Sequence, residues 1–197
     1  MPDGTELTSR PAARDEPSHN GLHPLINVPN IITFARLCAV PVAIWLVLRL
    51  QFAAAFWLFV AAGASDAVDG WLARRRGPTA VGALLDPVAD KVLLVGMYVT
   101  LASVHVLPDW LAILVVFRDL VIVGGVLVLF VLGLPVVIRP LFISKVNTTL
   151  QIVLVAVALL LTGTGLNWRL LPELVWLVAA STLVSGAAYV WRVGRTR

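Results

Sequence analysis

Residues 66–90 read D-A-V-D-G-W-L-A-R-R-R-G-P-T-A-V-G-A-L-L-D-P-V-A-D. Four carboxylates stand in a chain that is otherwise mostly apolar. Asp66 and Asp69 are i, i+3 near the end of one apolar segment. Asp86 and Asp90 are i, i+4 at the start of the next. On a helix the members of each pair share a face, separated by ~4.5 and ~6 Å along the axis. The turn R-R-R-G-P-T between the segments folds the second pair back towards the first. Two helical carboxylate pairs facing each other make an oxygen-rich cage.

Such a cage is expensive in a membrane. One aspartate near the middle of a membrane helix costs roughly 2.5–3.5 kcal/mol on insertion scales, so four cost on the order of 10 kcal/mol. Like charges a few ångströms apart add repulsion. Bound divalent cations offset both terms, and an all-oxygen ligand set suits hard ions such as Mg²⁺, Mn²⁺ or Ca²⁺. A purely structural alternative has the aspartates capping helix ends and pairing with Arg74, Arg75 and Arg76. It accounts for one pair and has no use for the second.

Composition places the cage in a bilayer. Of 197 residues, 59% are hydrophobic and 13% charged, and the mean hydropathy is +0.93. That is too apolar for an ordinary soluble domain. The expected fold is all-α: a polytopic membrane protein with six transmembrane helices and a short interfacial N-terminal segment. The net charge of +4 does not point to nucleic acid, because the basic residues cluster at segment ends. There they read as topology signals and contacts to anionic lipid. The one cysteine, Cys38, excludes an internal disulfide and is expected as a small buried hydrophobe.

Working outward, residues 1–22 are polar and read as a disordered cytoplasmic tail, and residues 23–197 as one membrane domain. G-L-H-P-L-I-N-V-P-N at 21–30 is apolar and broken by Pro24 and Pro29, as befits the interface. A first span of about 20 residues follows Asn30. It contains Arg36, a functional candidate by default inside a membrane, although snorkelling to the cytoplasmic interface is a compatible reading. Further spans are expected over 52–74, 85–106, 110–132, 145–161 and 172–191. His105 falls at the end away from the cage and is given no catalytic role.

Basic residues orient the spans. The R-R-R turn, Arg139 with Lys145, and the tail Arg192, Arg195 and Arg197 fall on one side of a six-span chain. By the positive-inside rule both termini and the carboxylate turn are cytoplasmic. The first residues include Asp3, Glu6, Asp15 and Glu16, unlike an acidic-poor transit peptide, so a bacterial inner membrane is expected.

A pair of divalent ions on shared carboxylates can clamp a pyrophosphate, neutralise its developing charge and activate a hydroxyl. A membrane location implies a lipid substrate, and a cytosolic opening implies a water-soluble nucleotide part. The residues therefore point to phosphoryl-type transfer at a lipid pyrophosphate, with one aspartate spared as general base. Gly70, Ala73 and Gly82 allow close approach of a base or ribose, and equally allow close helix packing. A non-enzymatic scaffold or ion path is the reading from another class, and it has little use for the interleaved small residues and arginine.

D-x-x-D-G-x-x-A-R at 66–74 followed by G-x-x-x-D-x-x-x-D at 82–90 resembles the signature of the CDP-alcohol phosphatidyltransferases. Arg74 and Gly82 stand one residue closer than is common in that pattern. The resemblance runs from about Asn27 to the C-terminus and implies six membrane helices, often in a homodimer. It implies that Asp66, Asp69, Asp86 and Asp90 hold two divalent ions, Mg²⁺ or Mn²⁺. It further implies that Asp90 is the base for the acceptor alcohol, and that Asp69, Gly70, Ala73, Arg74 and Gly82 line the CDP site. The donor would be CDP-diacylglycerol, with CMP leaving.

F-R-D-L-V at 117–121 and F-I-S-K-V-N-T-T-L-Q at 142–151 are similar to the cardiolipin-forming branch of the family, whose acceptor is phosphatidylglycerol. The phosphatidylglycerophosphate-forming branch, which uses glycerol 3-phosphate, usually has Glu where Asp119 stands and a second lysine where Asn147 stands. One fewer cation fits a diester better than a dianion. Arg36, Arg118, Arg139 and Lys145 are the candidates for holding acceptor or lipid phosphate. Lys145 also reads as a helix-end marker and Arg118 as a partner of Asp119. The expected spans put Arg118 nearer the side away from the cage.

Overall fold

The computed structural model describes the backbone of residues 28–76, 80–131, 142–166 and 168–195, and the side chains of 34–65, 90–125, 142–166 and 168–191. These residues form six α-helices and no strand: α1 (Val28–Leu48), α2 (Phe52–Arg76), α3 (Ala80–Ser103), α4 (Asp109–Val131), α5 (Phe142–Thr164) and α6 (Leu170–Arg195). All six coincide with the expected segments. The largest difference is at α3, which starts at Ala80 rather than near Leu85. Nothing in A-V-G-A-L-L forbids a helix, and a count of apolar length misses a first turn of small residues.

Each helix turns a narrow face inward. On α1 the buried positions are Arg36, Val40, Ala43 and Val47, and on α6 they include Leu171, Val175, Val178, Thr182 and Ser185. These spacings of three and four trace one helical stripe. α1 packs on α2 and α3, α2 on α5, α5 on α6, α6 on α4, and α4 back on α3. The helices thus close a ring, and α3 also reaches across it to α5. Tyr98, Met97 and Leu101 of α3 fill the centre with Leu154 and Leu159 of α5.

The outer face is as apolar as the core. Trp45, Trp57, Ile113, Phe117, Leu120, Val123 and Leu183 are all more than half exposed. An exterior of this kind suits lipid rather than water. Among the described residues, 142–164 and 170–191 are long and apolar enough to cross a membrane by length and composition. Cys38 also lies exposed on α1 rather than in the core, because the buried stripe passes through its neighbours Arg36 and Val40.

Two helix ends explain two odd residues. Leu50 (φ 59°) and His105 (φ 58°) sit in the left-handed region just after α1 and α3. After α1, the Gln51 N–H donates to the Leu46 carbonyl at 2.9 Å and the Leu50 N–H to the Val47 carbonyl at 2.9 Å. After α3, the Val106 N–H donates to Leu101 and the His105 N–H to Ala102. Both are Schellman ends, which absorb carbonyls that the helix leaves unpaired. Among the described contacts, His105 serves the backbone of this turn and is remote from the carboxylate helices' other end. At the far end of the ring α5 also comes close to the backbone of α2. A Cβ on Gly163 would lie 2.7 Å from the Ala53 nitrogen and 3.0 Å from its Cα.

Candidate active site

α2 carries Asp66, Asp69, Gly70, Ala73 and Arg74 in its second half, and α3 carries Gly82, Asp86 and Asp90 in its first half. The side chains of all these except Asp90 lie outside the described residues, as does Arg139. What is described is the rim that both motif halves share. Gly63 and Ala64, just ahead of Asp66, and Asp90 line one cavity of about 570 Å³.

That cavity joins four helices. Arg36 comes from α1, Phe59 and Val60 from α2, Asp90, Lys91 and Leu94 from α3, and Thr148, Ile152 and Ala156 from α5. Among the described lining residues Arg36, Asp90 and Lys91 are charged, Thr148 carries a hydroxyl and the others are apolar. Arg36 is buried, and its Nη1 donates to Asp90 Oδ1 at 3.0 Å, while the Asp90 side chain is 46% exposed. A buried arginine would be costly if it were not paired. Here it orients the carboxylate through a charge-assisted bond. The arginine and the candidate base, 54 residues apart in sequence, are therefore direct partners.

A second charged cluster backs onto the first. Lys91 Nζ donates to Asp119 Oδ2 at 2.6 Å, and Arg118 Nη1 donates to Asp119 Oδ1 at 2.7 Å. Arg118 Nη2 donates to Ser144 Oγ and to Ser185 Oγ, each at 2.6 Å. One buried guanidinium thus ties α4 to α5 and α6, and Asp119 ties α4 to α3. The expected spans put Arg118 nearer the side away from the cage, and its backbone does lie in that half of α4, about 14 Å from Asp109. Its side chain nevertheless reaches Ser144 in the first turn of α5. Span edges alone ignore the length of the arginine side chain.

Lys145, next to Ser144, is exposed on the first turn of α5. Asn147 does not face the cavity as an acceptor-reading residue would. It is fully buried, and its Oδ1 accepts from Ser181 Oγ at 2.7 Å and Thr182 Oγ1 at 2.9 Å. One turn on, Gln151 Nε2 donates to Thr182 Oγ1 at 3.5 Å, and Tyr98 OH donates to the Gln151 carbonyl at 3.3 Å. This polar seam joins α5 to α6 and α3. Among the described residues, Asn147 Nδ2, Gln151 Oε1 and Arg118 Nε have no hydrogen-bond partner.

Sequence reasoning passed over Lys91, Ser144, Ser181, Thr182 and Ser185. A signal existed for Lys91, Ser181 and Ser185. Lys91 is a charge in an apolar run, and Asn147 with Gln151 and Ser181 with Ser185 are polar pairs at i, i+4 on otherwise apolar helices.

No cluster of three metal-ligating side chains occurs among the described residues. The donor chemistry rests on Asp90, a half-exposed carboxylate one turn from Asp86 on α3, in a cavity also lined by α2, the helix that bears Asp66 and Asp69. A set of carboxylates without thiolate or imidazole fits a hard divalent ion.

Comparison with known proteins gives the same answer as the motif. The family model of the CDP-alcohol phosphatidyltransferases matches residues 26–187. The chain is 37% identical over 190 residues to the chloroplastic CDP-diacylglycerol–glycerol-3-phosphate 3-phosphatidyltransferase 1 of Oryza sativa subsp. japonica, covering 86% of this chain and 57% of the relative. It is 30% identical over 185 residues to cardiolipin synthase (CMP-forming) of Rattus norvegicus, covering 85% of this chain and 61% of that one. It is also 30% identical over 183 residues to the CDP-diacylglycerol–glycerol-3-phosphate 3-phosphatidyltransferase of Bacillus subtilis (strain 168), covering 84% of this chain and 94% of the relative. The chain thus spans about three fifths of the rice and rat relatives. With the signature residues on α2 and α3, a shared cavity at their rim and a family match over most of its length, the chain belongs to the CDP-alcohol phosphatidyltransferase family.

Proposed function

We propose that this chain is a cardiolipin synthase that moves the phosphatidyl group of CDP-diacylglycerol to a hydroxyl of phosphatidylglycerol and releases CMP. The observation that carries the reading is the cavity. A carboxylate stands in its wall beside Arg36 and Lys91, and most of the described lining is apolar, as a lipid acceptor needs. Asp66, Asp69, Asp86 and Asp90 would hold two divalent ions, Mg²⁺ or Mn²⁺, which would neutralise charge on the pyrophosphate. Asp90 would take the proton from the acceptor hydroxyl, oriented by Arg36. Asp69, Gly70, Ala73, Arg74 and Gly82 would border the nucleotide.

The same reading has six membrane spans in a domain over residues 23–197, a cytoplasmic tail over 1–22, and a homodimer. Both termini and the site would face the cytoplasm of a bacterial inner membrane. The apolar exterior and the basic residues at one set of ends support it. Glycerol 3-phosphate is the second acceptor to consider, because the rice relative named for it is more similar to this chain than the rat cardiolipin synthase is.

One assay decides between them. Purified protein in detergent receives CDP-diacylglycerol and Mg²⁺, with phosphatidylglycerol or glycerol 3-phosphate in separate reactions. CMP release with cardiolipin as product in the first reaction alone is expected, together with loss of activity in EDTA and its recovery with Mg²⁺ or Mn²⁺. Phosphatidylglycerophosphate from the second reaction alone would replace the acceptor and leave the family chemistry standing.

A further inference from the structure

We propose that Lys91 holds the phosphodiester of the acceptor lipid, and that Asp119 is the residue that positions its ammonium to do so. The inference rests on the acceptor reading given above and assigns it a residue.

Among the described residues, the other cations are committed or elsewhere. Arg36 is buried and bonded to Asp90. Arg118 is buried, with Nη1 on Asp119 and Nη2 shared by Ser144 and Ser185, and it does not line the cavity. Lys145 is exposed at the start of α5 and does not line it either. Lys91 does line it, its side chain is 36% exposed, and one of its three N–H bonds is used, by Asp119. An ammonium is a compact point charge with donors in three directions, so it can keep one bond and offer the others to a phosphate.

Charge and position agree. The Lys91 ammonium stands in the cavity wall, and a phosphodiester carries the single negative charge that complements it. Asp90 and Lys91 both line the cavity, so a phosphate held by Lys91 and a hydroxyl facing Asp90 would share one space. In phosphatidylglycerol the phosphate and the reacting hydroxyl are the two ends of one glyceryl group, and that group can bridge the neighbouring side chains.

Asp119 prepares Lys91 for this. A free lysine loses much rotamer freedom when it binds, and a bond already made to a buried carboxylate removes part of that loss. Asp119 itself is kept in place by Arg118 from the other side.

The test measures KM for each lipid separately in mixed micelles. Lys91→Gln is expected to raise the KM for phosphatidylglycerol about tenfold or more, the equivalent of one charge-assisted hydrogen bond. The KM for CDP-diacylglycerol should stay within about twofold, and Lys91→Arg should recover most of the loss. Asp119→Asn should raise the same KM by a smaller factor. An unmoved KM for phosphatidylglycerol in Lys91→Gln, or an equal rise for both lipids, overturns the assignment. A second measurement uses the wild-type chain and does not depend on folding of a variant. The chain has two lysines, Lys91 and Lys145. Phosphatidylglycerol in the micelle should slow acetylation of Lys91, read by mass spectrometry, and leave Lys145 unchanged; equal rates at Lys91 with and without it overturn the assignment. Wild-type turnover with glycerol 3-phosphate and none with phosphatidylglycerol sinks the acceptor reading and this assignment with it. Turnover with phosphatidylglycerol beside an unmoved KM in Lys91→Gln sinks this assignment alone.

Discussion

Asp90 is asked to be a ligand of cations and an acceptor of a proton, and Arg36 holds one of its oxygens. Replacing it with asparagine keeps the shape and removes the basicity. Asp90→Asn should lower kcat by about 10²–10⁴, the usual contribution of a general base, while CDP-diacylglycerol still binds; titration of the lipid against the inactive variant checks the second half. Arg118 is a different kind of residue. Arg118→Leu leaves Asp119 with Lys91 alone and leaves Ser144 and Ser185 without their donor. It should destabilise the fold by about 2 kcal/mol, below the full cost of breaking a buried pair because one partner remains. Arg118→Lys should recover little, since a single ammonium lacks the planar fork that serves three partners in three directions; thermal melts in detergent measure both. The four aspartates stand out in the sequence as candidates because charge in an apolar run is conspicuous, and all four fall on α2 and α3. Lys91 was as conspicuous, but a lysine beside an aspartate reads first as its neighbour's counter-ion. The duties of Arg118 were not legible at all, because two of its three partners lie 26 and 67 residues away.

At the scale of helices, hydropathy located all six helices because each is apolar around most of its circumference. It located ends less well. Ends are decided by capping geometry and by small residues, neither of which changes hydropathy much. The end of α1 offers a direct check. Leu50 holds a left-handed conformation that suits glycine, and a leucine there costs roughly 1–2 kcal/mol. Leu50→Gly should raise thermal stability by about 1 kcal/mol, the part of that strain not returned as chain entropy in the unfolded state. Gly163→Ala should do the opposite. The added Cβ meets backbone of α2, which cannot rotate aside, so α5 must shift, at about 1–3 kcal/mol. Melting temperatures of the two variants, measured side by side, should move in opposite directions.

For the molecule as a whole, the proposed orientation puts the turns after α1, α3 and α5 on the outer side of the membrane. His105 lies in one of these turns and is exposed. In a Cys38→Ala background, His105→Cys should react with a membrane-impermeant maleimide added to intact cells. A cysteine that reacts only after the cells are opened would reverse the orientation. The ring of helices was legible in the sequence only as six apolar helical segments. Which helix touches which depends on the inward stripes and on contacts such as Arg118 with Ser185, and these appear only once the chain is folded.

α2 and α5 touch backbone to side-chain-free backbone at Gly163, and farther along the same two helices part to flank the cavity. Two rods that meet at one end and diverge towards the other form a wedge. Thr148, at the cavity, lies fifteen residues before Gly163, about 22 Å along α5. The apex is a shim of zero thickness: a side chain inserted at Gly163 would push α2 and α5 apart, and the displacement would be felt along both walls of the cavity.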